Sequence, residues 1–248
     1  MRRVTRQAPT SAPFDPALHD PAAVVALLSP LVEPARLARM RAVLANRLER
    51  VVLGVEDLHH LHNAAACLRT AEGMGVQDIA AVELRNVYPT EDPRQDAAAV
   101  HKITKSTPRW LSLHRLTCGD ALRSFARARG LSVWGAAPLG ERSIDTLPDD
   151  RPVMVLFGNE SAGLRPETLA ACDGTFRIPM FGFVESYNIS VSVGMTLQAL
   201  LPRVRARLAG EGRTGDLAEA RQTSLLARWL SEDVRGAETL LRTRLPPT

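Results

Sequence analysis

Apolar residues fall into short runs separated by polar, glycine-bearing turns, and between the runs lie stretches whose apolar positions recur at helical spacing. RVVLGVED (residues 50–57) is one such run and predicts a short buried strand. NAAACLRTAEGMG, which follows shortly after, predicts a helix with Gly73 and Gly75 as its stop. The alternation continues with a strand over 79–83, a helix over 92–102, a strand over 110–113, a helix over 118–129 and a strand over 132–136. VMVLF (153–157) is wholly apolar, as a strand covered on both faces requires, and runs straight into Gly158, Asn159 and Glu160. RPETLAACDG predicts a short helix opened by Pro166 and closed at Asp173 and Gly174. A strand over 175–178 then leads into PMFGFVESYN, whose Asn188 is a natural N-cap for a helix over ISVSVGMTLQALLPRVRARL. Strands alternating with helices predict an α/β fold with a mainly parallel sheet, because parallel neighbours need crossover connections. In such sheets ligands bind outside the carboxyl ends of the strands, which directs attention to the turn after residue 157.

The flanks read differently. Residues 1–33 are rich in Pro and Ala with weak periodicity and predict a loosely attached arm with one short helix over 21–28. PARLARMRAVLANRLER (34–50) predicts a helix with Arg36, Arg39, Arg47 and Arg50 along one side and Leu37, Met40, Val43 and Leu44 along another. The tail from Arg213 predicts one more amphipathic helix, centred on 225–241. The expected organisation is therefore an arm and basic helix (1–50), a core (51–207) and a C-terminal helical extension (208–248).

Hydrophobic residues make up 45% of the 248 and charged residues 23%, enough apolar material to bury a core and against a disordered chain. The longest apolar-rich run, residues 22–32, is broken by Pro30 and falls well below the roughly 18 to 20 residues of a membrane helix, so no span is expected. The basic start is followed by prolines and acids where a signal peptide carries its apolar stretch, which points to a cytoplasmic protein. Cys67, Cys118 and Cys172 are widely spaced and read as buried free thiols. His59, His60 and His62 cluster without the cysteine or H-E-x-x-H frame that would complete a metal site, so no metal is expected. No G-x-G-x-x-G follows the first strand, which disfavours a dinucleotide oxidoreductase.

The net charge of +4 is unevenly spread. Residues 1–50 hold 8 Arg against 4 acids, residues 51–200 hold 14 Lys and Arg against 17 acids, and residues 201–248 hold 9 Arg against 6 acids. All of the basic excess is terminal. Arginine forks contact phosphate with two donors, and such contacts supply much of the affinity for nucleic acid. The same residues read equally as solvated helix faces.

Three segments stand together as candidates for chemistry: 63–69, 158–164 and 178–190. N-A-A-A-C-L-R-T-A-E-G-M-G-V resembles the first motif of the SpoU/TrmH (SPOUT) family of RNA 2′-O-ribose methyltransferases, F-G-N-E-S-A-G-L the second, and I-P-M-F-G-F-V-E-S-Y-N-I-S-V-S-V-G-M-T-L the third. The resemblance covers residues 36–207, and the basic flanks resemble the family's tRNA Gm18 branch. It implies a SPOUT-type α/β domain whose C-terminal part is tied into a deep trefoil knot, S-adenosylmethionine as cofactor, tRNA as partner, and a homodimer. The implied reaction transfers a methyl group to the ribose 2′-oxygen of a guanosine.

By the same resemblance Arg69 sits where proton loss from the 2′-hydroxyl has to be managed. A guanidinium normally stays protonated, so two roles remain open: a transiently deprotonated base, or a charged group that positions a phosphate and stabilises the developing alkoxide. The second is favoured here; an ordinary surface position on a helix is the plain alternative. Asn63 is expected to fix the loop before that helix and to orient Arg69 or the ribose, or simply to cap the helix. Glu160 is expected to contact substrate or loop backbone, or to balance a nearby helix N-terminus. Ser186 and Asn188 mark a helix start that can bind a carboxylate or merely be capped. Leu156, Gly158, Asn159, Glu160, Ile178, Met180, Ser186, Asn188 and Ile189 are the expected cofactor-binding set, with core packing as the alternative for the apolar members. Arg36, Arg39, Arg47, Arg50, Lys105, Arg109, Arg203 and Arg207 are the expected RNA contacts.

Ala65, Arg165, Tyr187 and Gly194 depart from common family residues; Arg165 stands where serine is common. Pro108 and two lysines in HKITKSTPRW change the segment expected to meet RNA. Two other readings share the motifs: methylation of ribosomal RNA, and a non-catalytic RNA-binding protein of the same fold, which the intact polar set disfavours.

Overall fold

The structure, a computed structural model, describes residues 18–90 and 97–245. The chain divides into two compact units, residues 46–216 and the pair of segments 1–45 and 217–248.

In the terminal unit, α1 (Pro21–Leu28) and α2 (Pro34–Ala45) pack against α8 (Glu219–Asp233), which also meets α9 (Ala237–Arg244). Asp20 caps α1 through the Ala23 amide, and Pro21 opens it, both suited to a first turn. Residues 18–33 are not a loose arm: Val24 and Leu28 are fully buried. Met40 and Leu44 are buried on α2, and Leu225, Leu226, Trp229 and Leu230 on α8. The tail makes two helices rather than one, because Gly236 adopts a left-handed conformation (φ 77°) between them.

The other unit is a seven-stranded sheet. Its strands are β1 (Leu48–Glu56), β2 (Val76–Val82), β3 (Ser112–Leu116), β4 (Ser132–Ala136), β5 (Arg142–Ser143), β6 (Val153–Phe157) and β7 (Gly174–Arg177). The spatial order is β3-β2-β1-β6-β4-β7-β5 and all pairings are parallel. Two apolar layers cover it. Val51, Leu53, Val55, Val153, Val155 and Phe157 face one layer with α3 (Leu61–Gly73) and α7 (Ile189–Gly210). Val52, Met154 and Leu156 face the other, with Leu122 and Ala126 of α5 (Gly119–Ala128). The alternation along β1 and β6 is the period of two that a strand imposes, and burial of both sets explains why these strands are apolar throughout.

Register places the functional end. Val55 lies opposite Ala81 of β2 and Phe157 of β6, and Ala136 of β4 opposite Phe176 of β7. The carboxyl ends of these strands therefore open at one edge. The segment after β1 turns to α3 on one face, while that after β6 passes through α6 (Pro166–Leu169) towards the other, so the connections diverge between β1 and β6.

The structure departs from the sequence pattern at several points. The basic helix ends at Ala45, not Arg50, and Leu48 already begins β1. Arg47 is 1% exposed, with its guanidinium donating to the Glu72 carboxylate and to the carbonyls of Glu72 and Val76. It closes the C-terminal turn of α3 and is no RNA contact. Arg50, on β1, pairs with Asp216 at 3.4 Å. The strand expected over 110–113 is Ser112–Leu116, because Pro108 initiates a 3-10 turn (Thr107–Trp110) before it. Helix α4 is Ala97–Thr104, and the start expected at 92 lies outside the described residues. Cys118 is exposed, not buried, and its sulfur accepts the Ala121 amide at the head of α5.

Candidate active site

Gly158 lets β6 double back: a side chain there would bring a Cβ within 2.0 Å of the Gly163 carbonyl carbon. The Asn159 and Gly163 backbones exchange hydrogen bonds of 3.1 and 2.9 Å, and Asn159 Oδ1 accepts the amides of Ser161 and Ala162. This tight turn aims Glu160 at the entry of α3. His60, at the N-cap, supplies no side-chain cap; the Glu160 carboxylate accepts the His59 and His60 amides instead, each at 3.1 Å. Asn63 Nδ2 donates to Glu160 Oε1 at 3.1 Å, and Asn63 Oδ1 accepts Asn188 Nδ2 at 3.1 Å. Asn188 Oδ1 in turn accepts both the amide and the hydroxyl of Ser190, at 2.9 and 2.7 Å, and so caps α7.

The three sequence motifs thus meet in one hydrogen-bonded chain, Glu160 to Asn63 to Asn188 to Ser190. Asn63 is its centre, not the cap of α3. Partial burial opposes charge on Glu160, but the amides and Asn63 outweigh it and hold the carboxyl below its ordinary range. Beneath it, burial first and the Glu160 charge second push the Cys67 thiol up to about 12, which makes it a packing residue and not a nucleophile. Arg69, nearly two turns further along α3, is exposed and has no partner among the described residues.

Beside this chain, the ends of β4, β6 and β7 enclose an open cleft of about 470 Å³. Phe157 and Phe176, edge to face at 5.7 Å, Ile178 and Met180 form apolar walls, and Glu185, Ser186 and Ser192 bring polar groups. Ile178, Met180 and Ser186, members of the expected cofactor set, line this cleft. Leu156, Gly158, Asn159, Glu160, Asn188 and Ile189 do not line the cleft; Leu156 and Ile189 are buried in the two apolar layers. The sequence reading missed Ala136, Ala137 and Pro138, although strand ends of a parallel sheet are where lining residues belong. Gly140 sits so close to β7 that a Cβ would lie 2.2 Å from the Phe176 carbonyl carbon, which holds the 137–141 loop against the cleft.

The expected RNA contacts are scattered. Arg36 pairs with Asp233, Arg207 with Asp149 at 3.0 Å, and Arg203 donates to the Asp145 and Leu147 carbonyls. Arg109 lies over the Trp110 ring, Lys105 has left-handed backbone (φ 53°), and Arg39 is exposed. His59 and His60 are exposed with rings 5.1 Å apart, and among the described residues no group of three His, Cys, Asp or Glu side chains is placed to hold a metal. No helix among them is long and apolar enough to cross a membrane.

Residues 50–198 match the sequence profile of the SpoU rRNA Methylase family. The chain belongs to that family. This SpoU-family protein is therefore a methyltransferase. It is 34% identical to a tRNA (guanosine(18)-2′-O)-methyltransferase of Thermus thermophilus, over 79% of this chain and 96% of that one. Its fold is similar to that of the A. aeolicus TrmH/SpoU tRNA modifying enzyme, with TM-score 0.68, 24% identity, and 81% and 98% of the two chains covered. An AdoMet-bound rRNA methyltransferase from Sinorhizobium meliloti matches with TM-score 0.54 and 23% identity, over 66% of this chain and 58% of that one. Apolar walls with a few convergent polar groups give the cleft the make-up usual for small-molecule sites.

Proposed function

We propose that the protein methylates the ribose 2′-oxygen of a guanosine in tRNA, at position 18. The observation that carries this reading is the chain Glu160–Asn63–Asn188, which joins three motif segments beside a cleft fit for the donor and leaves exposed Arg69 on the same helix as Asn63. The similarity to a relative of that name over 96% of its length supports tRNA as the substrate.

Ile178 and Met180 would hold the adenine, and Ser186 the polar part of S-adenosylmethionine. When bound, that molecule supplies an electrophilic methyl group on sulfur. Arg69, as a protonated guanidinium, binds the phosphate beside the target ribose and offsets the charge that develops on the 2′-oxygen, while the hydroxyl proton passes to solvent water. Asn63 and Glu160 hold the entry of α3 and thereby the helix that carries Arg69. Arg39 and the other exposed arginines of the terminal unit, with Lys105 and Arg109, contact the RNA backbone. The domain reading becomes a core of 46–216 with a terminal unit for RNA.

The same reading includes a trefoil knot formed by the C-terminal part of the core, as membership of the family implies. It includes a cytoplasmic location and a homodimer: Leu139, Phe181, Phe183 and Val184 are exposed on the two segments that also supply Pro138, Met180 and Glu185 to the cleft, and a second copy would cover them. Purified protein is expected to transfer labelled methyl from S-adenosylmethionine to unmodified tRNA, with mass mapping locating the product at guanosine 18. Label entering ribosomal RNA and not tRNA would establish the other substrate class named in the family's description.

A further inference from the structure

A second cavity, of about 410 Å³, opens where the connections after β1 and β6 diverge, the position at which open parallel sheets bind ligands. Glu56, Asp57, Arg85, Asn86, Asn159 and Arg165 are among its lining residues. Asp57 ties its walls together. Its backbone is left-handed (φ 47°), and its Oδ1 accepts the three consecutive amides of Leu84, Arg85 and Asn86 at 2.8, 2.8 and 3.1 Å. Its Oδ2 accepts Arg165 at 3.0 Å, and its carbonyl accepts the side-chain amides of Asn159 at 2.7 Å and Asn86 at 3.3 Å.

Arg165 thus answers the Asp57 charge, and its own amide donates to Glu56 at 3.1 Å. Arg85 is left over. Its backbone is pinned on both sides, while its side chain is exposed and has no partner among the described residues. The turn that lines this cavity through Asn159 also carries Glu160, so the cavity adjoins the chain that ends at α7.

Resting on the function proposed above, we infer that this cavity receives the base of the nucleotide being methylated, and that Arg85 reads guanine through its O6 and N7 atoms. A guanidinium fork matches two adjacent acceptors; adenine presents a donor beside N7, and pyrimidines lack the pair.

Two measurements test the inference. In NMR of the arginine side chains, guanosine 5′-monophosphate is expected to shift the Arg85 Nε–H resonance and adenosine 5′-monophosphate to leave it in place. Equal shifts by both would mean a phosphate contact and overturn base reading. In methyl transfer, 7-deazaguanosine at the target position is expected to lower kcat/KM of the wild type about ten- to a hundredfold, whereas inosine, which keeps O6 and N7, stays within about twofold. Arg85→Ala is expected to lower kcat/KM on guanosine by a similar factor and to be indifferent to the 7-deaza change. A variant as sensitive to that change as the wild type, or one weakened equally on every base with a shallower salt dependence, overturns the inference. Guanine-selective shifts at Arg85 in a protein that methylates no tRNA would instead count against the proposed substrate and leave the cavity's reading standing.

Discussion

The two units of this protein hold their arginines for different ends. Residues 46–216 carry 20 basic and 20 acidic residues, while 1–45 and 217–248 together carry 11 against 7, so the whole net charge of +4 belongs to the terminal unit. Inside the core, Arg47, Arg50, Arg129, Arg165 and Arg203 are bound to carboxylates or carbonyls of the same unit. Among the described residues, Arg69 on α3 and Arg85 beside the β2 end are exposed and uncommitted. A count of positive charge along a chain therefore overstates what is left for a partner. The arginines that matter are those the fold leaves uncommitted.

The largest effect is expected at Arg69, an exposed arginine of the core. Arg69→Ala is expected to lower methyl transfer by a hundredfold or more, on the order of one lost oxyanion contact, while calorimetry shows S-adenosylmethionine binding retained. Turnover within a fewfold of wild type would place Arg69 among ordinary surface residues. Arg47→Ala should do the reverse. Removing a buried guanidinium that serves the Glu72 carboxylate and two carbonyls should cost about 3 kcal/mol, read as a lower denaturation midpoint, because acceptors in the interior lose their donor.

Glu160 sharpens the contrast through pH. Its folded pKa lies below the ordinary value, so its contribution to stability is complete above the usual carboxylate range of about 4.3 and fades as pH falls through the folded value. The Tm difference between wild type and Glu160→Gln is expected to be full at neutral pH and to shrink on acidification; a constant difference would deny the charged hydrogen bonds their part. The smallest effect belongs to the terminal unit. Arg39→Gln and Arg41→Gln, both exposed, should each weaken tRNA binding only severalfold and reduce the slope of log affinity against log salt by about 1, with S-adenosylmethionine binding unaffected.

The periodic elements were legible. The strands Ser132–Ala136 and Val153–Phe157 and the helix Pro21–Leu28 lie where the apolar pattern placed them, because buried faces repeat every two residues in a strand and every three to four in a helix. Boundaries set by distant partners were not. Arg47 and Arg50 continue the basic spacing of α2 perfectly well, yet one is buried under α3 and the other lies on a strand beside Asp216. The two-residue strand Arg142–Ser143 carries too few positions to show a period. The polar residues of the candidate site were legible as types, since short polar side chains at the ends of apolar runs need partners, but not as a chain of contacts.

By itself, then, the sequence determined the α/β alternation, the three polar segments and the surplus of charge at the ends, because each depends on composition and spacing within a short stretch. Only the tertiary structure decided that Glu160, Asn63 and Asn188 bond to one another across 97 and 125 residues of chain, and that Asp57 gathers three loops around a cavity. It also decided which arginines remain free. Such contacts follow from the order in which parallel strands pair, and strand order is settled by packing on both faces of the sheet rather than by any local pattern.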